Sequence, residues 1–496
     1  MRCSGAFPNK FALTLCFTIL AVWAEAQSSP TQDIDPPLRL GTIEVHGALR
    51  GRAEGWNWFL DDTRRIYGFG ESLLSLSVAQ HRSRFDWQLS FEQPTLIGLP
   101  DDAFLPGSQE PLGLGGTYFL ANNRHRNPAG LFVSQAFLRI RGLAHNGDQL
   151  QLGRFAFSDG FERSSADPSL AWLKRERIAH RLIGDSYWTG SGRSMDGVHF
   201  SDDIGTRTNL TFVAARPTRG VYQTDGWGEM DVDLLYASFT RELSLRRSAS
   251  EFRAFAIAYH DGRGVLKIDN RSLGARLADN HNIRIGSFGA NYAVVRPIRN
   301  LGRFDLLTWG AVQIGSWGRL HHHAAAVTGE IGWQPPINWW RPWLRAGALS
   351  ASADGNPNDN KHTTFFQILP TNRQYARLPF YSLQNLEDYM GQLLLNPSGR
   401  LSLRGEIHKV KLHGSNDLWY QGSGAFQNTS FGYEGRAPKA AGGLANFVDL
   451  SADFKATSSL DATAYVGVLS GKSTMTSHLK GRKAGFAYLE FLYRFW

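Results

Sequence analysis

Apolar and polar side chains alternate along much of this chain. Leu401, Leu403 and Ile407 fall on one parity, and Ser402, Arg404, Glu406 and His408 fall on the other. A period of two is that of a strand with one face in an apolar medium and the other in water. Val448, Leu450, Ala452 and Phe454 oppose Asp449, Ser451, Asp453 and Lys455 in the same way. Thr457-Ser458-Ser459 then turns the chain into Leu460, Ala462, Ala464, Val466 and Val468, opposed by Asp461, Thr463 and Tyr465. Asn396-Pro397-Ser398-Gly399 is a second compact turn. Val410 and Leu412 break the rule by falling on the polar parity, which predicts a bulge or an exit from the membrane there.

The last residues carry the same pattern to the end. Ala487, Leu489, Phe491, Tyr493 and Phe495 share one face; Tyr488, Glu490, Leu492 and Arg494 share the other, and Trp496 ends the chain. An aromatic final strand is expected of an outer-membrane barrel, whose last strand closes on its first. An arginine facing lipid at the midplane costs about 2–4 kcal/mol, so Arg494 and Glu490 are expected in the lumen.

Arg2 and Lys10, the apolar run 11–24 and Ala24-Glu25-Ala26 predict a signal peptide over 1–26. Residues 27–38 hold Pro30, Pro36 and Pro37 and read as a polar leader. Beyond the signal no apolar run suits a helical span, and mean hydropathy is −0.30. For a membrane protein this leaves a barrel, because alternation hides apolarity from window averages. Residues 39–496 are therefore expected to form one all-β, antiparallel, single-chain barrel of about 18 strands, at roughly 25 residues per strand and loop. A Gram-negative outer membrane is the expected location.

Both cysteines, Cys3 and Cys16, lie in the signal. The mature chain is thereby denied disulfides, thiolate metal sites and a cysteine nucleophile. Its formal charge of +9 falls to about +8 without Arg2, Lys10 and Glu25, which hints at an anionic solute. Two stretches, 94–130 and 350–385, are long and irregular, expected either as surface loops or as segments that fold inward and narrow the pore.

Basic residues recur where strands should present a wet face. Arg139 and Arg141 alternate with Leu138 and Ile140, Arg154 follows Leu150-Gln151-Leu152-Gly153, and Lys174-Arg175-Glu176-Arg177 leads to Arg181. Guanidinium groups bind carboxylates in a fork, so a ladder of them passes an anion between weak sites. Pairing with lumen acids such as Glu176, Glu406 and Glu490 is the competing reading. The tryptophans of Trp56-Asn57-Trp58, Trp339-Trp340 and Trp343, with Trp419-Tyr420, are expected mostly in interface girdles. On a strand His322 points away from His321 and His323, so the three do not converge on a metal. Asp354, Asn356 and Asn358 resemble the start of a calcium loop, but position twelve is Phe365. No cofactor is expected; a solvated turn is the favoured reading of this stretch, with a loop-bound calcium as its rival. Gly190-Ser191-Gly192-Arg193-Ser194 lacks a nucleophile-elbow pattern, and the adjacent acids Asp61-Asp62 and Asp202-Asp203 point apart on a strand. No enzyme activity is expected.

Thr364-Phe365-Phe366-Gln367-Ile368-Leu369-Pro370-Thr371-Asn372-Arg373, continuing Tyr375-Ala376-Arg377-Leu378-Pro379-Phe380, resembles a stretch of the alginate export family. Leu150 with Arg154, Arg181-Leu182-Ile183-Gly184, Gly192-Arg193-Ser194-Met195-Asp196-Gly197, the stretch 397–408 and the terminal strand support the resemblance. It implies a monomeric barrel with an arginine-lined constriction that passes a linear polyuronate. Arg154, in its Gly-Arg setting, carries over as a constriction arginine; Arg193, Asp196, Arg373 and Arg377 match family-like motifs. Trp496 departs from the usual terminal phenylalanine. The expected function is a passive pore for an anionic polysaccharide or other acidic solute, in contact with outer-membrane lipid and periplasmic secretion components but not nucleic acid. The substrate path would run along Arg139, Arg141, Arg154, Arg177, Arg181, Arg193, Arg373, Arg377, Arg404, Arg494 and Glu490. A nutrient-uptake porin for small anionic or sugar-like solutes is the alternative, and a barrel enzyme a distant third.

Overall fold

The computed structural model describes residues 37–496 except 60–63, 65, 106–109, 244–246, 372–376, 439–441, 480 and 496. The signal, most of the leader, Asp61-Asp62, Arg373 and Trp496 lie outside the described residues. The chain closes into an antiparallel barrel of 18 strands. They are β1 (Ile43–Asn57), β2 (Ile66–His81), β3 (Phe85–Ile97), β4 (Phe132–Arg141), β5 (Asp148–Phe155), β6 (Met195–Ile204), β7 (Thr208–Pro217), β8 (Val232–Glu242) and β9 (Ala249–Asp261). Then follow β10 (Ile283–Ile298), β11 (Gly302–Trp317), β12 (Leu320–Gln334), β13 (Trp343–Ala351), β14 (Leu386–Leu395), β15 (Leu401–Lys411), β16 (Gly443–Lys455), β17 (Leu460–Gly471) and β18 (Lys483–Phe495).

Each strand pairs with its sequence neighbours, and β1 pairs with β18 from Gly47 opposite Phe495 to Asn57 opposite Gly485. Closure removes both sheet edges, as hydrocarbon demands. A Cβ on Gly47 would stand inside the Phe495 ring, so the bare backbone at Gly47 gives that ring its seat. The faces sort as their parity predicts. Phe491, Tyr493, Val448, Leu450 and Ile407 are exposed on the outside, while Arg52, Glu406, Asp449 and Tyr465 are buried inside.

Short connections such as 82–84, 205–207 and 299–301 lie at the end that holds the C-terminus. The predicted turn at Thr457 lies there too, its Oγ1 accepting from Ser459 N at 3.2 Å and Leu460 N at 3.0 Å. The long connections 98–131, 156–194, 352–385 and 412–442 all lie at the other end. Short turns are periplasmic and long loops extracellular in such barrels.

The long loops turn into the barrel. The predicted irregular stretches both do so, and their apolar residues Leu99, Leu112, Tyr118, Phe365, Phe366 and Ile368 are buried. Val410 and Leu412 are explained by the same packing: they point inward against loop residues and are 1% and 7% exposed. The bulge expected near them sits where Val410 faces Ala445 and Lys411 faces Gly443, with Leu444 the extra residue.

Candidate functional site

The main correction concerns the basic run from Lys174 to Arg181, expected on the wet face of a strand: it lies in the long connection 156–194. Asp167 caps a short helix, α1 (Pro168–Leu173), accepting from Ser169 N at 3.0 Å and Leu170 N at 3.1 Å. The cap and the proline at the first helical position are a helix-start signal present in the sequence. One turn of π-helix (Lys174–Ile178) continues it. Arg177 and Arg181 therefore sit on an inward loop, not on the wet face of a strand.

That loop is pinned to the wall by ion pairs. Arg177 forks onto Glu330 of β12, with Nε 2.9 Å and Nη2 2.8 Å from the carboxylate oxygens. Arg345 of β13 bonds the same Glu330 at 2.9 Å and Asp305 of β11 at 3.1 Å. Lys174 Nζ reaches Glu251 of β9 at 2.7 Å, and Arg303 of β11 reaches Asp167 at 2.5 Å. Arg253 of β9 bonds Glu162 at 3.0 Å and Asp159 at 3.4 Å. Arg50 donates to Thr189 O at 2.7 Å and to Glu71 at 2.8 Å. Such pairing offsets much of the cost of taking buried guanidinium and carboxylate groups out of water.

Residues of the family-like motif complete the plug. Leu369 N donates to Leu182 O at 2.8 Å, Gly184 N to Leu369 O at 2.8 Å, and Thr371 N to His180 O at 3.2 Å. Loops 156–194 and 352–385 thus zip together as a short parallel pair. Gln367 donates to Arg181 O at 3.0 Å and accepts from Leu383 N at 2.7 Å. Arg181 is fully buried, with its guanidinium 4.8 Å from the Trp309 ring centre.

The half-exposed part of the plug is basic. Arg175 has 55% of its side chain exposed and its Nε lies 2.9 Å from Glu176. Arg404 of β15 lies 3.4 Å from the same carboxylate and 2.7 Å from Glu406. Arg377 lies 3.7 Å from Asp453. Burial pushes the Glu176 carboxyl up, but Arg404, Arg377 and Arg175 outweigh it and hold the group below the ordinary carboxylate range.

The remaining expected residues scatter. Arg139 and Arg141 face the lumen near the periplasmic end and share Asp86, each at 3.1 Å. Glu490 bonds Arg52 at 2.8 Å and 2.5 Å, and Arg494 bonds Asp461 at 2.7 Å near the periplasmic rim. Arg193 lies in loop 156–194, 2% exposed, and donates to Ser423 O at 2.8 Å. Among the described residues no carboxylate bonds it, and burial pushes its guanidinium down to about 10.

Arg154 is a second correction. It shares the outward face of β5 with Leu150 and the exposed Leu152, so it lines no constriction. Its Nε and Nη2 bond Asp196 of β6 at 2.7 Å each. In register, Asp196 faces Arg216 of β7. Arg216 Nε lies 2.7 Å from Asp233 of β8, Asp233 lies 2.9 Å from His260 of β9, and His260 faces Arg284 of β10. These groups form an outward row near the extracellular ends of the strands.

The aromatic expectation is corrected in part. Trp339 and Trp340 stack, exposed, at the periplasmic rim. Trp56, Trp58, Trp343, Trp419 and Tyr420 are instead buried inside the barrel, where the plug needs apolar walls. His322 points inward to His362, with their Nδ1 atoms 2.9 Å apart. The calcium-like stretch forms successive Asx turns: Asp354 Oδ1 accepts from Asn356 N at 3.1 Å and Asn356 Oδ1 from Asn358 N at 3.2 Å. Among the described residues no cluster of three or more His, Cys, Asp or Glu is placed to hold a metal.

A closed barrel with inward loops and no curated sequence match is placed by two other comparisons. The chain is similar to a BenF-like porin from Pseudomonas fluorescens Pf-5, with TM-score 0.57, 9% identity, and 91% of this chain and 98% of that one covered. Acinetobacter baumannii OccAB2 is similar at TM-score 0.56 and 8% identity, over 91% of this chain and 98% of that one. Pseudomonas aeruginosa OpdK with vanillate follows at TM-score 0.53 and 9% identity, over the same 91% and 98%. At these identities the likeness is one of fold, that of an outer-membrane porin. The family model named for alginate export matches residues 224–471, half of the chain. The protein is an outer-membrane β-barrel that belongs to the alginate export family.

Proposed function

We propose that the barrel is a passive pore for an anionic polysaccharide, or for smaller acidic solutes, that move past the plug by exchanging between arginines. The observation that carries this reading is Arg175, half-exposed in the plug beside Glu176. Arg404 and Arg377 also lie near that carboxylate but are engaged by Glu406 and Asp453, so Arg175 is the guanidinium presented to a passing solute. A passing carboxylate meets a hydrated site of less than about 1 kcal/mol, weak enough to leave again. The buried pairs, Arg177 with Glu330 above all, hold the plug in place and are not contact sites. The pore acts as a monomer, and periplasmic secretion components hand it the polymer.

A second reading is a porin for small acidic solutes. The zipping of loop 156–194 to loop 352–385 favours it, because a filled lumen passes a short solute more readily than a polymer. OpdK, of the same fold, has been solved with vanillate. Planar-bilayer recordings separate the two. Block of anion current by a linear oligouronate, added at the turn side, supports the polymer; block by small carboxylates alone supports the porin. No current at any voltage sinks both.

A further inference from the structure

On the extracellular face, outside the arginine plug, a cleft of about 500 Å³ opens between loops 98–131, 218–231 and 412–442. It adjoins a second cavity of about 270 Å³, with Ala121 and Gln427 on both walls. Volumes of about 300–1,000 Å³ are typical of ligand pockets.

The lining is rich in side-chain amides, several of whose oxygens are already used. Asn127 Oδ1 accepts from Gly98 N at 2.8 Å. Asn428 Oδ1 accepts from Asp231 N at 3.4 Å, and Gln427 Oε1 accepts from Gln223 Nε2 at 2.9 Å. An amide with its oxygen committed offers its NH2 group, and NH2 only donates. In the adjoining cavity Gln421 Nε2 is a buried donor with no partner. With Gln223 Oε1, a buried acceptor without a partner, beside these donors, the wall suits a ligand that both accepts and donates, as a saccharide does.

Charge and strain point the same way. Tyr222, on the wall of the smaller cavity, holds Ser423 Oγ at 2.9 Å through its hydroxyl. Arg193 lies behind it on Ser423 O, and its Nε and Nη1 have no partner. Arg219 lines the larger cleft, 38% exposed and 3.4 Å from Asp225; Glu434, on the smaller cavity, is 3.5 Å from Arg436. The acids at the cleft are thus paired, whereas the buried Arg193 charge is not offset. Next to Tyr222, Val221 holds φ at +62° while fully buried, an outlier for a β-branched residue. Strain of this kind persists where surrounding structure enforces it, often at ligand sites. Here it fixes Tyr222 and Gln223 in place.

We propose that this cleft binds an acidic saccharide from the extracellular side, its amide donors taking ring hydroxyls and a carboxylate. The assignment rests on the reading of the pore as a path for anionic saccharide, and names where the chain is held as it emerges. Titration calorimetry on the full chain in detergent tests it, with a linear hexuronate hexamer and a neutral maltohexaose as probes. Hexuronate should bind, neutral sugar at least tenfold more weakly, and Asn127→Ala/Gln427→Ala should weaken hexuronate at least tenfold. Equal affinity for both sugars, no hexuronate binding, or an unchanged double variant overturns the cleft. Should the double variant lose the heat-modifiable gel shift of a folded barrel, Gln427→Glu takes its place, putting a negative charge where the NH2 stood. Hexuronate affinity unchanged by Gln427→Glu overturns the proposal equally. Anion selectivity of the wild-type pore, measured separately, tests the channel reading and does not depend on the cleft.

Discussion

Arg177 and Glu330 meet through a two-pronged ion pair, with nitrogens 2.8 Å and 2.9 Å from the carboxylate oxygens, that fastens the inward loop to β12. Glu330 also holds Arg345 at 2.9 Å, so the two partners are unequal. Removing one side of a buried pair costs about 3–5 kcal/mol. Glu330→Ala removes the carboxylate that Arg177 forks onto and one of the two that hold Arg345, and should free loop 156–194, raising single-channel conductance and current noise. Arg177→Met leaves Glu330 its bond to Arg345 and should do less. Bilayer recordings and the temperature of the heat-modifiable gel shift check the order.

Acid should strengthen anion selectivity. Glu176 sits below its ordinary value of 4.5 because Arg404, Arg377 and Arg175 outweigh the burial that pushes it up. Its ion pairs are intact above 4.5 and are lost as pH falls through the depressed value. Protonation then leaves three arginines without that carboxylate. Reversal potentials in a salt gradient should shift toward anions as pH drops below 4.5, and Glu176→Gln should show the acid value at neutral pH.

Arg139 and Arg154 should part company in the same assay. Arg139 faces the lumen on Asp86, so Arg139→Gln should lower anion selectivity. Arg154 faces outward on Asp196, so Arg154→Gln should leave the reversal potential unchanged and cost stability of about 1 kcal/mol. Equal shifts for the two would place both in the conducting path.

Barrel closure should depend on Gly47. Gly47→Val drives a side chain into the Phe495 ring, whereas a Cβ at Gly51 on the same face meets nothing within 4 Å. Overpacking costs about 1–3 kcal/mol, here at the seam of β1 and β18. Refolding into vesicles should yield far less folded barrel for Gly47→Val than for Gly51→Val.

Strands were the legible part of this chain, because one wet and one oily face write a period of two into residues such as 448–455. The plug was not, because loops packed inside a barrel need no period. Its trace was present in Val410 and Leu412, apolar residues on the lumen parity, which signal that something other than water lies opposite. Asp167-Pro168 was a second trace, a helix start just ahead of the basic run 174–181. Arg154 faces outward because parity on β5 is set by Leu150 and Leu152, and its Gly-Arg setting carries no information about facing. The cleft left no sequence signal, since its amides come from three separate loops.

The row Arg154, Asp196, Arg216, Asp233 and His260 crosses five neighbouring strands in register near their extracellular ends, on the outward face of one flank. Sinking that flank into hydrocarbon would strand charge at a cost that climbs with depth, to about 2–4 kcal/mol per basic group at the midplane. The row therefore acts as a waterline for this flank. In a thicker bilayer the lipid thins toward it rather than drawing these strand ends down.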